Sequence, residues 1–151
     1  MTIRIEAAVT DDIDALIALL NILFSIEQDF KPDALAQRRG LALLLSNPAQ
    51  GRIFVARHAA RGVVGMVSAQ LVISTAIGAP SAWIEDMVLH EAFRGQGLGK
   101  ALLDSAREWA IAQGAGRIQL LADADNTPAL DFYRHLDWQP TRLFAWKKLL
   151  D

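Results

Sequence analysis

A glycine-rich segment of seven residues has the composition expected of an anion-binding loop. It reads Arg94-Gly95-Gln96-Gly97-Leu98-Gly99-Lys100. It follows a run of strand-forming residues and opens a run with helical periodicity. Glycines let the main chain approach a ligand closely, and the first N–H groups of a helix have no partner within the helix. Together with the positive end of the helix dipole, they attract phosphate groups. The segment therefore predicts a site for a phosphate or diphosphate, with Arg94 and Lys100 adding positive charge.

Two common phosphate-binding patterns do not fit this segment. A nucleotide P-loop needs a glycine five residues before its Gly-Lys pair and a Ser or Thr directly after it. Counted from Gly99-Lys100, these two places hold Arg94 and Ala101. The dinucleotide fingerprint counted from Gly95 needs a third glycine where Lys100 stands. The spacing that remains is Arg-x-x-Gly-x-Gly.

The elements that must position this segment follow from the spacing of apolar residues. Alternating or continuous apolar runs predict strands at Thr2–Ala8, Arg52–Arg57, Val63–Ile73, Ala82–Leu89, Ile118–Ala122 and Leu143–Leu149. Helical spacing and capping residues predict helices from Thr10-Asp11-Asp12 to Leu23/Phe24, from Pro32-Asp33 to Ser46, from Gly99 to Gln113, and over Pro128–Leu136. With no repeat or linker between them, these elements predict one mixed α/β domain over residues 1–151.

Composition excludes several classes of protein. The 151 residues include no Cys, which excludes a disulfide framework and a cysteine nucleophile. Fifteen Lys and Arg against 17 Asp and Glu give a charge of −2, which does not suggest a nucleic-acid partner. The uncharged run from Gly62 to Ile84 is interrupted by Gly, Pro and polar residues, as in two buried strands rather than a membrane span. We expect a cytoplasmic protein with no membrane partner, and the scattered histidines predict no metal site.

At Arg94, Gly97 and Gly99 the chain resembles the GNAT superfamily of acetyl-CoA-dependent N-acetyltransferases. The pyrophosphate loop of that family has this spacing, follows the fourth strand and opens the third helix. A second motif, Asn126-x-x-Ala129-x-x-Phe132-Tyr133, is similar to the family's segment after the fifth strand. The resemblance covers nearly the whole chain in the order of its elements. It implies a mostly antiparallel central sheet flanked by helices, with the fourth and fifth strands splayed apart, and acetyl-CoA as co-substrate.

The resemblance also assigns residues to the cofactor. The diphosphate of CoA would be held by Arg94 and by the main-chain N–H groups of Gly95, Gln96, Gly97, Leu98, Gly99 and Lys100. The strand segment Met87, Val88 and Leu89 would pair through its main chain with the pantetheine arm. An N–H group near Val88 or Leu89 would then polarise the thioester carbonyl. Asn126 would contact the pantetheine amides, or act as the N-cap before Pro128, and both roles can hold at once.

Two side chains are the catalytic candidates. By the resemblance, Tyr133 would protonate the departing CoA thiolate; the alternative is a structural tyrosine on the inner face of its helix. Glu85 would accept a proton from the attacking amine, and several family members, including polyamine-acetylating ones, carry Glu at this place; the alternative is a carboxylate that only forms a pair or an interface. Because adjacent strand residues face opposite ways, we expect only one of Glu85 and Asp86 to face the cleft. Without a Cys, the amine would attack the thioester directly in a ternary complex.

The acceptor site is less well defined by the sequence. In the family, the connection between the first two helices forms a wall of the acceptor cleft. Glu27, Asp29 and Phe30 lie in this connection and would suit a cationic amine, although an ordinary solvated loop has the same composition. The sequence thus predicts an N-acetyltransferase acting on a primary amine. A non-catalytic acetyl-CoA-binding regulator is the alternative, and the apolar final strand permits a homodimer.

Overall fold

The structure is a computed structural model, and it describes residues 2–26 and 31–150 of the chain. In chain order its elements are β1 (Ile3–Ala7), α1 (Ile13–Ile26), α2 (Ala34–Ser46), β2 (Gly51–His58), β3 (Gly62–Ser74), β4 (Ala79–Leu89), α3 (Leu98–Ala112), β5 (Arg117–Leu120) and α4 (Thr127–His135). Short 3-10 turns, Thr10–Asp12 and Glu91–Phe93, precede α1 and follow β4. The predicted α/β class is confirmed.

The five strands form one sheet in the order β1-β2-β3-β4-β5. All neighbours are antiparallel except β4 and β5, which are parallel. The run from Gly62 to Ile84 forms β3, the turn after it and the first half of β4, as the interrupted apolar pattern predicted. Within the described ranges, no helix is both long and apolar enough to cross a membrane.

Helices cover both faces of this sheet because successive strand residues point to opposite sides. On one face, the apolar side of α1 packs with Leu41 of α2 against Val55 of β2 and Met66 of β3. On the other face, Leu102 of α3 lies 3.3 Å from the position that a Cβ of Gly65 would take. A Cβ at Gly65 would also lie 2.4 Å from Leu89 Cδ2 on the neighbouring strand β4, so a larger residue here would displace the Leu89 side chain.

The chain falls into two compact units, Met1–Leu120 and Leu121–Asp151. The first unit contains the whole sheet and α1 to α3. The second unit contains α4, which follows the N-cap residue Asn126, has Pro128 in its first turn and ends at a left-handed turn. That turn is formed by Asp137, with φ of 67°, which is the one non-glycine residue with positive φ in the described parts of the chain.

The prediction of a final strand over Leu143–Leu149 is wrong. Residues 143–150 form neither helix nor strand in the structure. The apolar pattern of this segment favours a strand, but a strand also needs a neighbouring strand with free main-chain groups, and the pattern does not supply one. The bounds predicted for β5 are shifted by one or two residues: the strand runs from Arg117 to Leu120 rather than from Ile118 to Ala122.

Candidate functional site

The N-terminus of α3 has the geometry of an anion site. Gly97 is its N-cap residue, in a left-handed conformation with φ of 80°, and no side chain caps the helix. The first bond within the helix runs from Ala101 N to Gly97 O at 3.1 Å, so the N–H groups of Leu98, Gly99 and Lys100 have no partner within the helix. Gly95 is also left-handed, and a Cβ at Gly95 or Gly97 would meet no atom within 4 Å. The main chain here is thus open to a ligand.

The loop before α3 is held against the sheet by contacts of Arg94 and Phe93. Arg94 Nε donates a hydrogen bond to the Leu89 carbonyl oxygen at 3.3 Å, which ties the loop to the end of β4. Phe93 is buried, and its ring makes edge contacts with the rings of His58 and His90 at centroid distances of 5.3 and 6.1 Å. His90 Nδ1 accepts a hydrogen bond from the main-chain N–H of Ala92. These contacts position the glycines before any ligand is bound.

Strand β4 has an open edge directly before this loop. Its parallel pairing with β5 covers only Ser81 to Ile84 and ends where Ile84 meets Leu120. On the other side, β3 pairs with β4 as far as Leu89. The segment from Met87 to Leu89 therefore has a strand neighbour on one side only among the described strands. Its free main-chain groups can pair with an extended, amide-containing ligand.

A β-bulge lies in β4 where the open edge begins. Val67 is opposite Met87 while Ala69 is opposite Ile84, so Ser68 alone faces both Glu85 and Asp86. Ser68 is fully buried; its Oγ accepts a hydrogen bond from the Asp86 N–H at 3.1 Å and lies 3.4 Å from Asp86 Oδ2. The bulge changes the direction of both acidic side chains.

Both acidic residues of the bulge line one pocket of about 490 Å³ within the first unit. The bulge interrupts the alternation on which the expectation for Glu85 and Asp86 relied, so the facing of these two side chains stays a prediction. Glu85 is exposed, whereas Asp86 is half-buried. The remaining walls come mainly from α1, α2 and the start of β2: Leu20, Phe24, Gln37, Gly40, Leu41, Leu43, Leu44, Asn47, Gln50, Gly51 and Gln70. The pocket combines two acidic groups with a largely apolar wall, which suits an amine with an apolar body.

Gln37 supplies a further polar group to this pocket. It is buried, and its Nε2 donates a hydrogen bond to Asn21 Oδ1 at 2.9 Å. Its Oε1 is buried without a hydrogen-bond partner among the described residues. A buried acceptor of this kind is rare in folded proteins. Sequence reasoning missed Gln37 and Ser68, because a single polar residue in an apolar run gives no sign of which cavity it lines.

The second motif residues lie in the second unit. Tyr133 is half-buried on α4, with its ring 5.4 Å from the ring of Phe132 and 5.7 Å from that of Trp138. Asn126 acts as the N-cap of α4, since its Oδ1 accepts a hydrogen bond from the Ala129 N–H at 3.3 Å. The capping role foreseen for Asn126 is confirmed.

The acceptor-site residues Glu27, Asp29 and Phe30 lie outside the described residues. In residues 2–26 and 31–150, no group of three or more His, Asp or Glu side chains is arranged to hold a metal ion.

Comparison with known proteins identifies a family for this chain and solved structures that share its fold. The model of the acetyltransferase (GNAT) family matches residues 15–138. No curated protein matches the sequence. Among solved structures, a possible acetyltransferase from Clostridium difficile 630 is similar over 100% of this chain and 99% of its own, with a TM-score of 0.84 and 17% identity. A transcriptional regulator from Bacillus halodurans C-125 has a TM-score of 0.84 and 24% identity, covering 98% of this chain and 100% of its own.

A third structure adds a bound cofactor to this comparison. The aminoglycoside N-acetyltransferase AAC(6')-Iy in complex with CoA has a TM-score of 0.82 and 17% identity, over 97% of this chain and 95% of its own. At these identities the three structures share the fold with this chain.

Proposed function

Because the chain belongs to the acetyltransferase (GNAT) family, we propose that it transfers the acetyl group of acetyl-CoA to a primary amine. One observation carries the proposal: the open edge of β4 connects an uncapped, glycine-built helix terminus to a pocket with two carboxylates. The helix terminus suits a diphosphate, the open edge of β4 suits an extended amide chain, and the pocket suits a cationic acceptor. The family match extends across both compact units, which supports a single N-acetyltransferase domain.

In this proposal the cofactor lies along β4. The N–H groups of Gly95 to Lys100 hold the diphosphate, and Arg94 and Lys100 add positive charge at its rim. The pantetheine amides pair with the free main-chain groups of Met87 to Leu89. This places the thioester beside the bulge, where a main-chain N–H near Val88 or Leu89 polarises its carbonyl. Asn126 adds a contact to the pantetheine.

The acceptor amine enters the pocket with the two carboxylates. Asp86, held by Ser68, provides negative charge that attracts the ammonium form. Glu85 is the general base, and it removes a proton from the amine directly or through a water. The amine nitrogen then attacks the carbonyl carbon, and the carbon–sulfur bond breaks. Tyr133 gives its proton to the departing thiolate, and the proton that the acylated nitrogen then loses restores the tyrosine hydroxyl.

The test is a steady-state assay that detects free thiol with a panel of acyl-CoAs and amines, including polyamines, peptides and aminoglycosides. Direct transfer predicts intersecting lines in double-reciprocal plots, because both substrates must be bound together. Parallel lines would show a covalent intermediate and overturn the direct mechanism. Tight CoA binding without turnover of any amine would instead support the regulatory alternative.

A further inference from the structure

Gln37 is a polar side chain buried on helix α2. It is 8% exposed, although glutamine is found mostly at protein surfaces. Leu41, one turn further along the helix, is 2% exposed and belongs to the apolar core. Both residues line the pocket that also contains Glu85 and Asp86. A buried amide in such surroundings needs hydrogen-bond partners to replace the water that it has lost.

Only one end of the Gln37 amide has such a partner. Its Nε2 donates a hydrogen bond to Asn21 Oδ1 at 2.9 Å, which links α2 to α1. Its Oε1 is buried and has no hydrogen-bond partner among the described residues. Because the bond to Asn21 fixes the amide, the carbonyl oxygen is held as an acceptor that lacks a donor. A link between two helices does not require this unpaired oxygen, and leaving it unpaired is unfavourable.

The lining of the pocket indicates what kind of ligand can bring the donor. Its acidic residues are Glu85 and Asp86, and no Lys, Arg or His is among the described residues that line it. An ammonium group therefore meets two acidic residues in the pocket, whereas a carboxylate on the ligand would meet no cation to pair with. This lining favours an amine that carries no carboxylate.

The surroundings of Gln37 favour a neutral donor over a second ammonium group. Leu20, beside Asn21 on α1, and Leu41 on α2 are both buried residues of the pocket. The acidic residues of the pocket come from β4 and not from these two helices. An ammonium group among the leucines would lose its water and gain only a neutral partner. A hydroxyl group needs no more than one neutral acceptor for its proton, and Gln37 Oε1 provides it.

We propose that the acceptor is a primary amine whose body carries a hydroxyl group, and that Gln37 selects it by accepting a hydrogen bond from this hydroxyl through Oε1. The inference rests on the proposed function, since it assigns a substrate class to the same pocket. The amine lies at Glu85 and Asp86, and the apolar body passes along Leu41. A site built to bind a hydroxyl discriminates against an analogue that lacks it, because the buried protein group is then left unpaired.

The first experiment compares amines that differ in a single group. Straight-chain amino alcohols are each paired with the alkylamine in which a methyl group replaces the hydroxyl, and with the diamine in which an amino group replaces it. Chains of three to six carbon atoms cover a range of spacings. At the best length we expect kcat/KM for the amino alcohol to exceed that of both analogues at least tenfold. Apolar walls alone would favour the alkylamine, so equal or better use of either analogue at every length would overturn the proposal.

The second experiment assigns this preference to Gln37. Gln37→Met keeps the length of the side chain and removes the acceptor oxygen, so the ratio of kcat/KM between amino alcohol and alkylamine should fall to one or below. Arg38→Met is the matched control: Arg38 is the next residue on α2, its ion pair with Asp14 is also a contact with α1, and it does not line the pocket. The ratio should stay at the wild-type value in Arg38→Met. An unchanged ratio in Gln37→Met, or an equal loss in both variants, would contradict the role of Gln37.

Calorimetry with the same amines separates this inference from the proposed function. If alkylamines are acetylated as readily as amino alcohols, the proposed function stands and the inference fails. If no amine is acetylated, the proposed function fails, and the affinities of each matched pair still measure the selectivity. Tighter binding of the amino alcohol to the wild type, lost in Gln37→Met, would then support the inference. Equal affinities, or no binding of any of these amines, would overturn it.

Discussion

Glu85 and Asp86 are neighbours in sequence and share one pocket, but the protein holds them differently. Ser68 contacts both the main chain and the carboxylate of Asp86, whereas Glu85 is exposed and has no hydrogen bond or ion pair to a described residue. A carboxylate held by a neighbouring hydroxyl suits binding of a cation, and an exposed carboxylate is accessible for transfer of a proton. This division of roles gives a prediction for each residue.

We expect Glu85→Gln to lower kcat about 100-fold with little change in the KM for acetyl-CoA, because general-base catalysis contributes at least about this factor. Asp86→Asn, a change of the same size at the neighbouring position, should mainly raise the KM for the amine. Steady-state kinetics with both substrates varied would measure the two effects. The assignment fails if Glu85→Gln changes only the KM for the amine.

Tyr133→Phe isolates the phenol hydroxyl from the aromatic ring. The phenyl ring retains the contacts with Phe132 and Trp138, so the variant removes the hydroxyl and keeps the ring packing. If Tyr133 protonates the thiolate, kcat should fall about 100-fold while the affinity for CoA stays the same. Calorimetry with CoA and turnover measurements would check both expectations. An unchanged turnover rate would remove Tyr133 from the mechanism.

At the scale of elements, helix α3 has a left-handed glycine at each end, and the glycine at the far end is a control for the glycine of the cofactor loop. Gly97 precedes the helix with φ of 80°, and Gly114 follows it with φ of 85°; neither position has an atom within 4 Å of a built Cβ. Gly97→Ala and Gly114→Ala should therefore each destabilise the fold by about 1 kcal/mol through backbone strain. Only Gly97→Ala should also weaken CoA binding. Equal affinity in the two variants would argue against the loop as the diphosphate site.

The junction of β1, β2 and the start of α1 depends on a buried ion pair. Arg57 donates hydrogen bonds to both carboxylate oxygens of Asp12, each at 2.9 Å. The hydrogen bonds from Arg57 lower the pKa of Asp12, against the opposing effect of burial. A carboxylate with a lowered pKa in the folded state adds stability above its unfolded pKa of about 3.9, and this stability is lost as the pH falls through the folded pKa.

We therefore expect Asp12→Asn to reduce the free energy of unfolding by about 2 kcal/mol at neutral pH and to flatten its decline below about pH 4. Urea unfolding across this pH range would measure both effects. Asp14→Asn is the control, since Asp14 is highly exposed and its ion pair with Arg38 should contribute less than about 1 kcal/mol. If the free energy of unfolding of Asp12→Asn declines with acid as steeply as that of the wild type, other groups cause the acid sensitivity.

For the whole molecule, binding of CoA should appear as added stability. A ligand that binds only the folded state adds about 2.7 kcal/mol at about 100 times its Kd. For a chain of this length, this corresponds to a rise in melting temperature of roughly 5–10 °C. Added salt should reduce the rise, because it screens the charges of Arg94 and Lys100. Pantetheine, which lacks the diphosphate, should produce a much smaller shift in the same assay, and an equal shift would contradict a site at the glycine loop.

The resemblance gave the family, and the apolar spacing gave most of the strands and helices. The glycine loop was recognisable because left-handed φ values and an uncapped helix terminus depend on the residues at that place. The same holds for Asn126, whose capping bond is made with a residue three positions along the chain. Such features are local, so the sequence by itself determines them.

Only the tertiary structure decided how distant residues meet. The bulge at Glu85 and Asp86 arises from the register of β4 against Ser68, 18 positions from Asp86, and it interrupts the alternation that the local pattern predicts. The pair of Arg57 with Asp12 joins residues 45 positions apart. Residues 143–150 have the pattern of a strand but form neither helix nor strand in the structure. Each of these outcomes depends on which partner the fold brings near, and that partner is not encoded in the local pattern.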